Sequence, residues 1–314
     1  MIHRYLRSVG FSEYTDRNKI NAMMADVLTS PSHAAMYEDP KAGELHAVFD
    51  ETKPEEKRRF GIITKEFSPN TGVAVCGEYD VHRTFLFDYY FPFLESNTIS
   101  TAEEITVERH TFQDSYVGVV DDSRVGISLI FYLINSLEYA KRAAKNSSCL
   151  KNATLSLSAL SDKAVILMPI AKTERDREVS KKIAYKRYKM ISKAKRGSES
   201  AIESLTLQEM DTYTAVQKKI QGSDIFSLVE SYFMPHGIEC DHYSVLGEII
   251  SCQKYENNMT KETIYVMKIV CNDLVFGVCI NEKDLQGEPK EGRRFRGNIW
   301  MQGKINLADT IAAG

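Results

Sequence analysis

Charged, aromatic and apolar side chains alternate along residues 293–305, near the end of the chain. Successive residues of an extended strand face opposite sides. One side would carry apolar residues, and the other would carry cations, an amide and the single tryptophan of the chain, namely Arg294, Arg296, Trp300, Gln302 and Lys304. Small β-barrels hold single-stranded nucleic acid with this combination of positive charge and stacking surface. We therefore predict a binding surface at these five residues, for nucleic acid or an acidic protein partner and with no metal or cofactor.

The same alternation has a plainer explanation, which is the commoner one. An amphipathic antiparallel strand normally turns its polar residues toward water and its apolar residues toward the core. The two explanations differ in what Trp300 and the arginines should contact. A binding surface requires that Trp300 is accessible and that Arg294 and Arg296 are not engaged by neighbouring acids.

A second candidate for anion binding is the strongly basic segment between residues 172 and 196. Tyr185 and Tyr188 lie among lysines and arginines there, so a helix in this segment would carry both positive charge and aromatic rings. It could bind phosphates or an acidic partner. Charge runs on helices are more often solvated faces stabilised by pairs such as Glu178 with Lys182, and the sequence leaves both explanations open.

Acid and base chemistry would need the cluster Glu78, Asp80, His82 and Arg83, which follows an apolar segment. These residue types can exchange protons with a substrate if they meet in one pocket. They are also typical turn residues, and no P-loop, GxGxxG, HExxH or nucleophile elbow accompanies them. An enzyme with its site in the N-terminal region is therefore an alternative hypothesis.

Metal binding would have to use His236, Cys240 and His242, whose spacing matches no compact zinc signature. The six cysteines of the chain lie apart from one another without a CxxC pair. This distribution is typical of reduced thiols, most of them packed as small apolar groups.

The composition predicts a globular protein of two domains. The 314 residues are 43% hydrophobic and 26% charged, with a formal net charge of -3, so no overall positive field draws the molecule to nucleic acid or membranes. No apolar run approaches the roughly 20 residues that cross a bilayer, and the N-terminus lacks the pattern of a signal peptide. We expect a cytoplasmic protein that does not bind membranes.

The elements of the N-terminal part indicate an α+β domain over residues 1–171. Apolar spacing predicts a helix at 16–28, which Thr15 and Asp16 could cap, followed by a loop. Short antiparallel strands are predicted at 44–49, 60–67, 72–79, 84–91 and 104–111. A second helix is predicted at 124–145, with Asp121 and Asp122 at its start, and a hairpin at 154–160 and 163–170 that turns at Ser161 and Asp162.

The remainder is predicted to form a helical arm at 172–236 and a small barrel at 237–314. Strands at 245–252, 263–271, 274–280 and 293–305, with glycines spread through them, are typical of a curled sheet like that of an OB fold. A barrel of that kind has five strands, so one strand is missing or the last run contains two.

Three stretches of the chain resemble a known family: residues 3–12 (HRYLRSVGFS), residues 121–133, and residues 287–303, which include the segment GRRFRGNIWMQG. They are similar to an uncharacterised family of clostridial Firmicutes, domain of unknown function 3881, over the whole chain. The resemblance implies a bacterial, cytoplasmic setting, and it supplies no activity, cofactor or catalytic residue. From the residues themselves we expect a non-enzymatic binding or adaptor protein, with the enzyme and a structural, oligomer-forming protein as alternatives.

Overall fold

The N-terminal segment forms a short 3-10 helix and then an α-helix. The computed structural model describes residues 2–38, 59–80, 82–109, 115–146, 148–170 and 229–307, with isolated positions between 182 and 204. The 3-10 helix (Arg4–Val9) ends at Gly10, whose φ of 93° suits glycine. Helix α1 (Arg17–Thr29) begins where predicted, because the side chain of Asp16 accepts a hydrogen bond from the backbone N–H of Lys19.

An antiparallel sheet of four strands follows, in the order β1-β2-β3-β4. Its strands are β1 (His33–Glu38), β2 (Arg59–Ser68), β3 (Thr71–Tyr79) and β4 (Phe85–Leu94). The predicted antiparallel sheet is thus confirmed for β2, β3 and β4. Strand β1 lies where a loop was predicted, so that prediction was wrong. The alternating pattern of β1 was missed because it is short and includes two alanines. The strand predicted at 44–49 lies outside the described residues.

A three-stranded ribbon and helix α2 come next: β5 (Ile105–Arg109), β6 (Tyr116–Asp122), β7 (Ile127–Leu133) and α2 (Ser136–Lys145). The helix predicted at 124–145 was wrong in its first half. Leu129, Phe131 and Leu133 are fully buried at alternate positions, which is the period of a strand. The apolar residues of this stretch fit both periods, and pairing with β6 and with residues 302–303 near the end of the chain selects the strand.

The remaining elements are β8 (Thr154–Leu167), β9 (Tyr232–Pro235), β10 (His242–Glu256), β11 (Thr263–Cys271), β12 (Leu274–Asn281), a 3-10 helix (Glu282–Asp284), β13 (Leu285–Gln286) and β14 (Arg294–Asn306). Five of these strands close into a barrel, in the cyclic order β8-β12-β11-β10-β14. The predicted C-terminal strands are confirmed as β10, β11, β12 and β14.

The fifth strand of the barrel is β8, which precedes the predicted arm in the chain. It pairs in parallel with β12 and antiparallel with β14. The predicted hairpin with its turn at Ser161 and Asp162 was wrong, since β8 runs through both residues and its register shifts there, opposite Asn298 and Ile299. Most of the arm predicted at 172–236 lies outside the described residues, although β9 falls within that range and pairs with β10.

Two apolar cores result from this arrangement. One fills the barrel, and the other lies between the outside of the barrel, the four-stranded sheet, α1 and the 3-10 helix. Ile264, Cys279 and Trp300 lie on the outer side of the barrel and belong to the second core. Within the described parts of the chain, no helix is both long and apolar enough to cross a membrane.

Candidate functional site

Strand β14 sorts its side chains into two faces, as the alternation predicts. Phe295, Ile299, Met301 and Ile305 are buried in the interior of the barrel. The opposite face points away from the barrel interior, toward the four-stranded sheet and the N-terminal segment.

Trp300 on this outer face is not available for stacking on a ligand. Its side chain is only 5% exposed, and its ring stacks on Tyr5 with the ring centroids 5.7 Å apart. His3 lies 4.9 Å from the same ring, and Trp300 Nε1 donates to Asp241 Oδ2 at 2.7 Å. The N-terminal segment therefore covers the indole.

Arg294 and Gln302 are also buried. Arg294 donates from Nε to the carbonyl of Met168 at 3.0 Å and from Nη1 to the carbonyl of Val229 at 2.8 Å. Gln302 is 0% exposed, and its amide joins β14 to the backbone of β4.

The prediction that the five residues share one solvent-facing surface was wrong. Arg296 is half-buried, and Trp300, Arg294 and Gln302 are buried. The alternation of β14 identifies its outer face correctly, but it contains no sign that residues from the first third of the chain cover that face.

Lys304, the last of the five, lines an open cleft of about 460 Å³. The cleft lies between one face of the four-stranded sheet, helix α2 and the end of β14. Its size is within the range of small-molecule sites, which are typically about 300–1,000 Å³.

The floor of the cleft is apolar because of the register of the sheet. Ala74 pairs with Phe91, Ala35 pairs with Ile62, and β4 adds Phe93, so these side chains point to the same face of the sheet. Leu137 from α2 covers the floor from the opposite side. The two alanines leave room beneath the helix that larger side chains would fill.

The rim of the cleft is charged. Lys304 forms an ion pair with Glu95, and the two side chains are 30% and 34% exposed. Glu138 Oε2 accepts a hydrogen bond from Asn135 Nδ2 at 3.0 Å. Lys141 is exposed on α2 and makes no ion pair with any residue that the structure describes.

Asn135 fixes the start of α2 against the barrel. Its Nδ2 donates to the carbonyl of Ile305 at 2.9 Å, and its Oδ1 accepts from the N–H of Ile305 at 3.1 Å. The side chain is therefore engaged with β14 and makes no capping bond to the helix. The first turn of α2 carries Glu138, whose carboxylate offsets the positive end of the helix at the cleft.

A second polar cluster holds the N-terminal segment on the barrel. Asp241 accepts from Trp300 and pairs with His242 Nδ1 at 2.9 Å. The backbone N–H of His3 donates to Tyr90 Oη at 3.1 Å. Burial, together with the nearby His242 and against the opposing effect of Asp241, lowers the pKa of His3 to about 4.

The candidate acid and base residues of the N-terminal part do not line the cleft. Asp80 Oδ1 accepts from the backbone N–H groups of His82 and Thr84 at 2.9 and 2.7 Å, so it stabilises the turn between β3 and β4. Arg83 lies in that turn with a φ of 63°. Of the pair predicted to begin a helix, Asp122 instead binds Arg124 in the turn after β6.

The candidate metal ligands lie around the turn between β9 and β10. His236 and Cys240 are exposed, whereas His242 faces Asp241. All six cysteines are free thiols.

Sequence reasoning missed most of the cleft. Phe91 and Phe93 alternate along the end of β4, and Glu95 follows the strand at the same spacing of two. This period could have indicated a face that is apolar inside and charged at its end. Nothing local indicated that Lys141 on α2 would lie over that face. Their proximity depends on how α2 packs on a sheet that is distant in sequence.

The comparisons with known proteins identify a family. A profile described as "Domain of unknown function, E. rectale Gene description (DUF3881)" matches residues 6–303, which confirms the resemblance noted from the sequence. No curated protein and no solved structure matches the chain. The match includes the four-stranded sheet, the residues that line the cleft except Lys304, and nearly all of the barrel. The chain belongs to the DUF3881 family.

Proposed function

We propose that this protein binds a small apolar ligand in the cleft between the four-stranded sheet and α2. The observation that carries the proposal is an open cleft of about 460 Å³ with an apolar floor and a charged rim. Small-molecule sites combine these features, since apolar walls supply affinity and a few polar groups set orientation. The proposed binding role therefore uses the cleft, and not the polar face of β14 that the sequence predicted as a binding surface.

The cleft gives Lys304 a role that the other four residues predicted on β14 lack. Its ammonium group lies beside Glu95 at the rim, where a bound molecule can reach it. Arg294, Trp300 and Gln302 support the fold from buried positions. Of the predicted binding residues, we therefore assign ligand contact to Lys304.

The neutral dye N-phenyl-1-naphthylamine tests the proposal, because it fluoresces when its rings leave water. We expect saturable binding to the wild-type protein. Ala35→Trp places an indole in the cleft and should weaken binding at least about tenfold. Ala34→Trp is the matched control, since Ala34 is exposed and points to the opposite face of β1.

The outcome separates binding in the cleft from dye adsorption elsewhere. Equal loss of binding in both tryptophan variants, or no loss in Ala35→Trp, would rule out the cleft. Thermal unfolding of the two variants checks that each is folded as well as the wild type.

We also infer that the barrel is OB-like but circularly permuted. Antiparallel pairing of β10, β11 and β12, a parallel pair β12–β8, and antiparallel pairs β8–β14 and β14–β10 support this topology. In that interpretation β8 is the last strand of an OB fold moved to the front. OB folds bind oligonucleotides on the face of their second and third strands, here β11 and β12.

Residues of the N-terminal segment partly occupy that face in this protein. Cys279 Sγ on β12 donates to the carbonyl of Ser8, and Asn281 Nδ2 donates to the carbonyl of Arg7. Nucleic-acid binding at this face would have to displace a buried segment that includes Tyr5 and Leu6. This cost is the reason for placing the ligand in the cleft. Anion binding by the basic segment at 172–196 stays a prediction.

A cytoplasmic location is part of the proposal. Six free cysteines, with Cys240 exposed, are expected in a reducing compartment. Fractionation of the native host with an antibody to the protein tests the location directly.

A further inference from the structure

The outer edge of the four-stranded sheet carries exposed apolar side chains at the beginning of β4. Strand β4 is the last strand of that sheet, so it pairs with β3 on one side only. The second half of its outer edge is held by Gln302, whose amide bonds to Pro92 and Leu94. The first half has no such partner among the described residues, and Leu86 and Phe87 are 55% and 46% exposed.

An edge of this composition favours association with another strand. The outer N–H and C=O groups of an edge strand can pair with a second chain, and proteins that stay monomeric commonly guard such edges with lysine, proline or a covering loop. Residues 85–87 are instead Phe-Leu-Phe, with side chains that alternate between the two faces of the sheet. The bulge opposite Cys76 and Gly77 lies after this stretch, so residues 85–87 pair regularly with β3. A strand added here would meet apolar side chains on both faces.

Two opposite charges flank the apolar stretch. Arg83 comes shortly before β4, and Asp88 follows Phe87 directly. Both side chains are exposed, and neither forms a hydrogen bond or an ion pair with a residue that the structure describes. When two copies of this edge run antiparallel, the beginning of each stretch lies beside the end of the other. Arg83 of each copy then lies close to Asp88 of the other copy, so the charges match twice.

A two-fold axis at Leu86 gives the pairing that fits the side chains. Phe85 of one copy is then opposite Phe87 of the other, and Thr84 is opposite Asp88. The same patch serves both copies, so the assembly closes at two chains. A different protein would need an apolar strand with its flanking charges in the same order, whereas a second copy supplies this match by symmetry.

We propose that two copies of this protein pair antiparallel through residues 84–88 of β4, which joins their four-stranded sheets into one sheet of eight strands. The pairing satisfies outer backbone groups of both copies and covers Leu86 and Phe87. The contact is small, as in transient complexes, so we expect a dissociation constant on the order of 10 µM.

Sedimentation velocity of the full chain tests this proposal at concentrations from about tenfold below to about tenfold above that value. We expect the wild type to shift from monomer to dimer. Leu86→Lys should abolish the shift, because it places a charge in the middle of the paired stretch. Met36→Lys is the matched control, since Met36 is 48% exposed on β1 at the opposite edge of the sheet, and it should dimerise as the wild type does.

Exchanging the flanking charges identifies which edges meet. Arg83→Asp makes both flanks acidic, and aspartate tolerates the φ of 63° at this position. Asp88→Arg makes both flanks basic. Each variant alone should dimerise at least about tenfold more weakly than the wild type, because like charges then face each other twice. An equimolar mixture of the two should dimerise again, since each acidic edge faces a basic one.

Three results would overturn the proposal. The first is a wild type that stays monomeric at about tenfold above the expected dissociation constant. The second is dimerisation that survives Leu86→Lys. The third is a mixture of the two charge variants that is no more dimeric than either variant alone. Recovery in the mixture also shows that both charge variants are folded.

Discussion

Gln302 is expected to be one of the most sensitive polar residues of the fold, and Gln302→Leu is the substitution that tests this. Its Nε2 donates to the carbonyl of Pro92 at 2.8 Å, and its Oε1 accepts from the N–H of Leu94 at 3.1 Å. The amide thus bonds to the outer edge of β4 as a neighbouring strand would. Leucine has a similar volume and deletes both hydrogen bonds.

The magnitude follows from burial. Gln302 is 0% exposed, so water cannot replace the lost partners of Pro92 and Leu94. A hydrogen bond contributes about 1 kcal/mol net, and an orphaned buried group costs about 1–3 kcal/mol. We expect Gln302→Leu to lower the free energy of unfolding by about 2–4 kcal/mol, with both backbone groups affected.

Urea unfolding with a constant m-value measures this loss. Met301→Leu is the matched control, because Met301 is equally buried on the inner face of the same strand and the swap nearly conserves volume. Hydrogen exchange adds a local readout, since the amide of Leu94 should exchange faster while that of Ile269 in the barrel should not. A loss below about 0.5 kcal/mol, or unchanged protection of the Leu94 amide from exchange, would refute the inference that Gln302 fixes β4 to β14.

Three further predictions concern other polar groups that are buried or partly buried. The pKa of His3 is about 4 in the folded protein and near 6.5 in the unfolded chain, so stability should fall by about 2–3 kcal/mol as pH drops between these values, and urea unfolding of His3→Gln should show a smaller loss. Burial favours the neutral form of Glu262, but hydrogen bonds from Ser12, Asn281 and Lys283 outweigh it and lower its pKa. Glu262→Gln should therefore lower the free energy of unfolding by about 1–3 kcal/mol at neutral pH. The loss should be smaller in acid, where the wild-type carboxylate is itself protonated, and thermal unfolding across pH measures it. Arg294→Met should lower the free energy of unfolding by about 2 kcal/mol, because the carbonyls of Met168 and Val229 lose a charged donor, and an unchanged urea midpoint would contradict this.

The strands were the most predictable part of this fold. Residues 60–67, 72–79 and 263–271 alternate or run apolar between turn residues, and the structure has β2, β3 and β11 there. Such signals are local, because a strand must satisfy its period wherever it pairs. The cap of α1 by Asp16 was equally local.

The errors arose where a distant partner decides the structure. Residues 127–133 are apolar at helical and strand spacing, and the antiparallel pairing with β6 together with the parallel contact with β14 makes them a strand. Ser161 and Asp162 resemble a turn, yet β14 pairs along the whole of β8 and converts them into an irregularity of one strand. Trp300 belongs to a polar-looking face that becomes interior because Tyr5 and His3 pack on it.

The hydrogen bonds of Gln302 that fix β4 to the barrel also shape the cleft. The barrel holds β4 by its backbone at Pro92 and Leu94, which leaves Phe91 and Phe93 pointing to the floor of the cleft. Two residues beyond Gln302, Lys304 pairs with Glu95, the rim residue that directly follows β4. Loosening Gln302 should therefore move the aromatic floor as well as lower stability, and Gln302→Leu should weaken dye binding even at temperatures where it is fully folded. A variant that loses stability but binds the dye as tightly as the wild type would show that the floor is held by the second core alone.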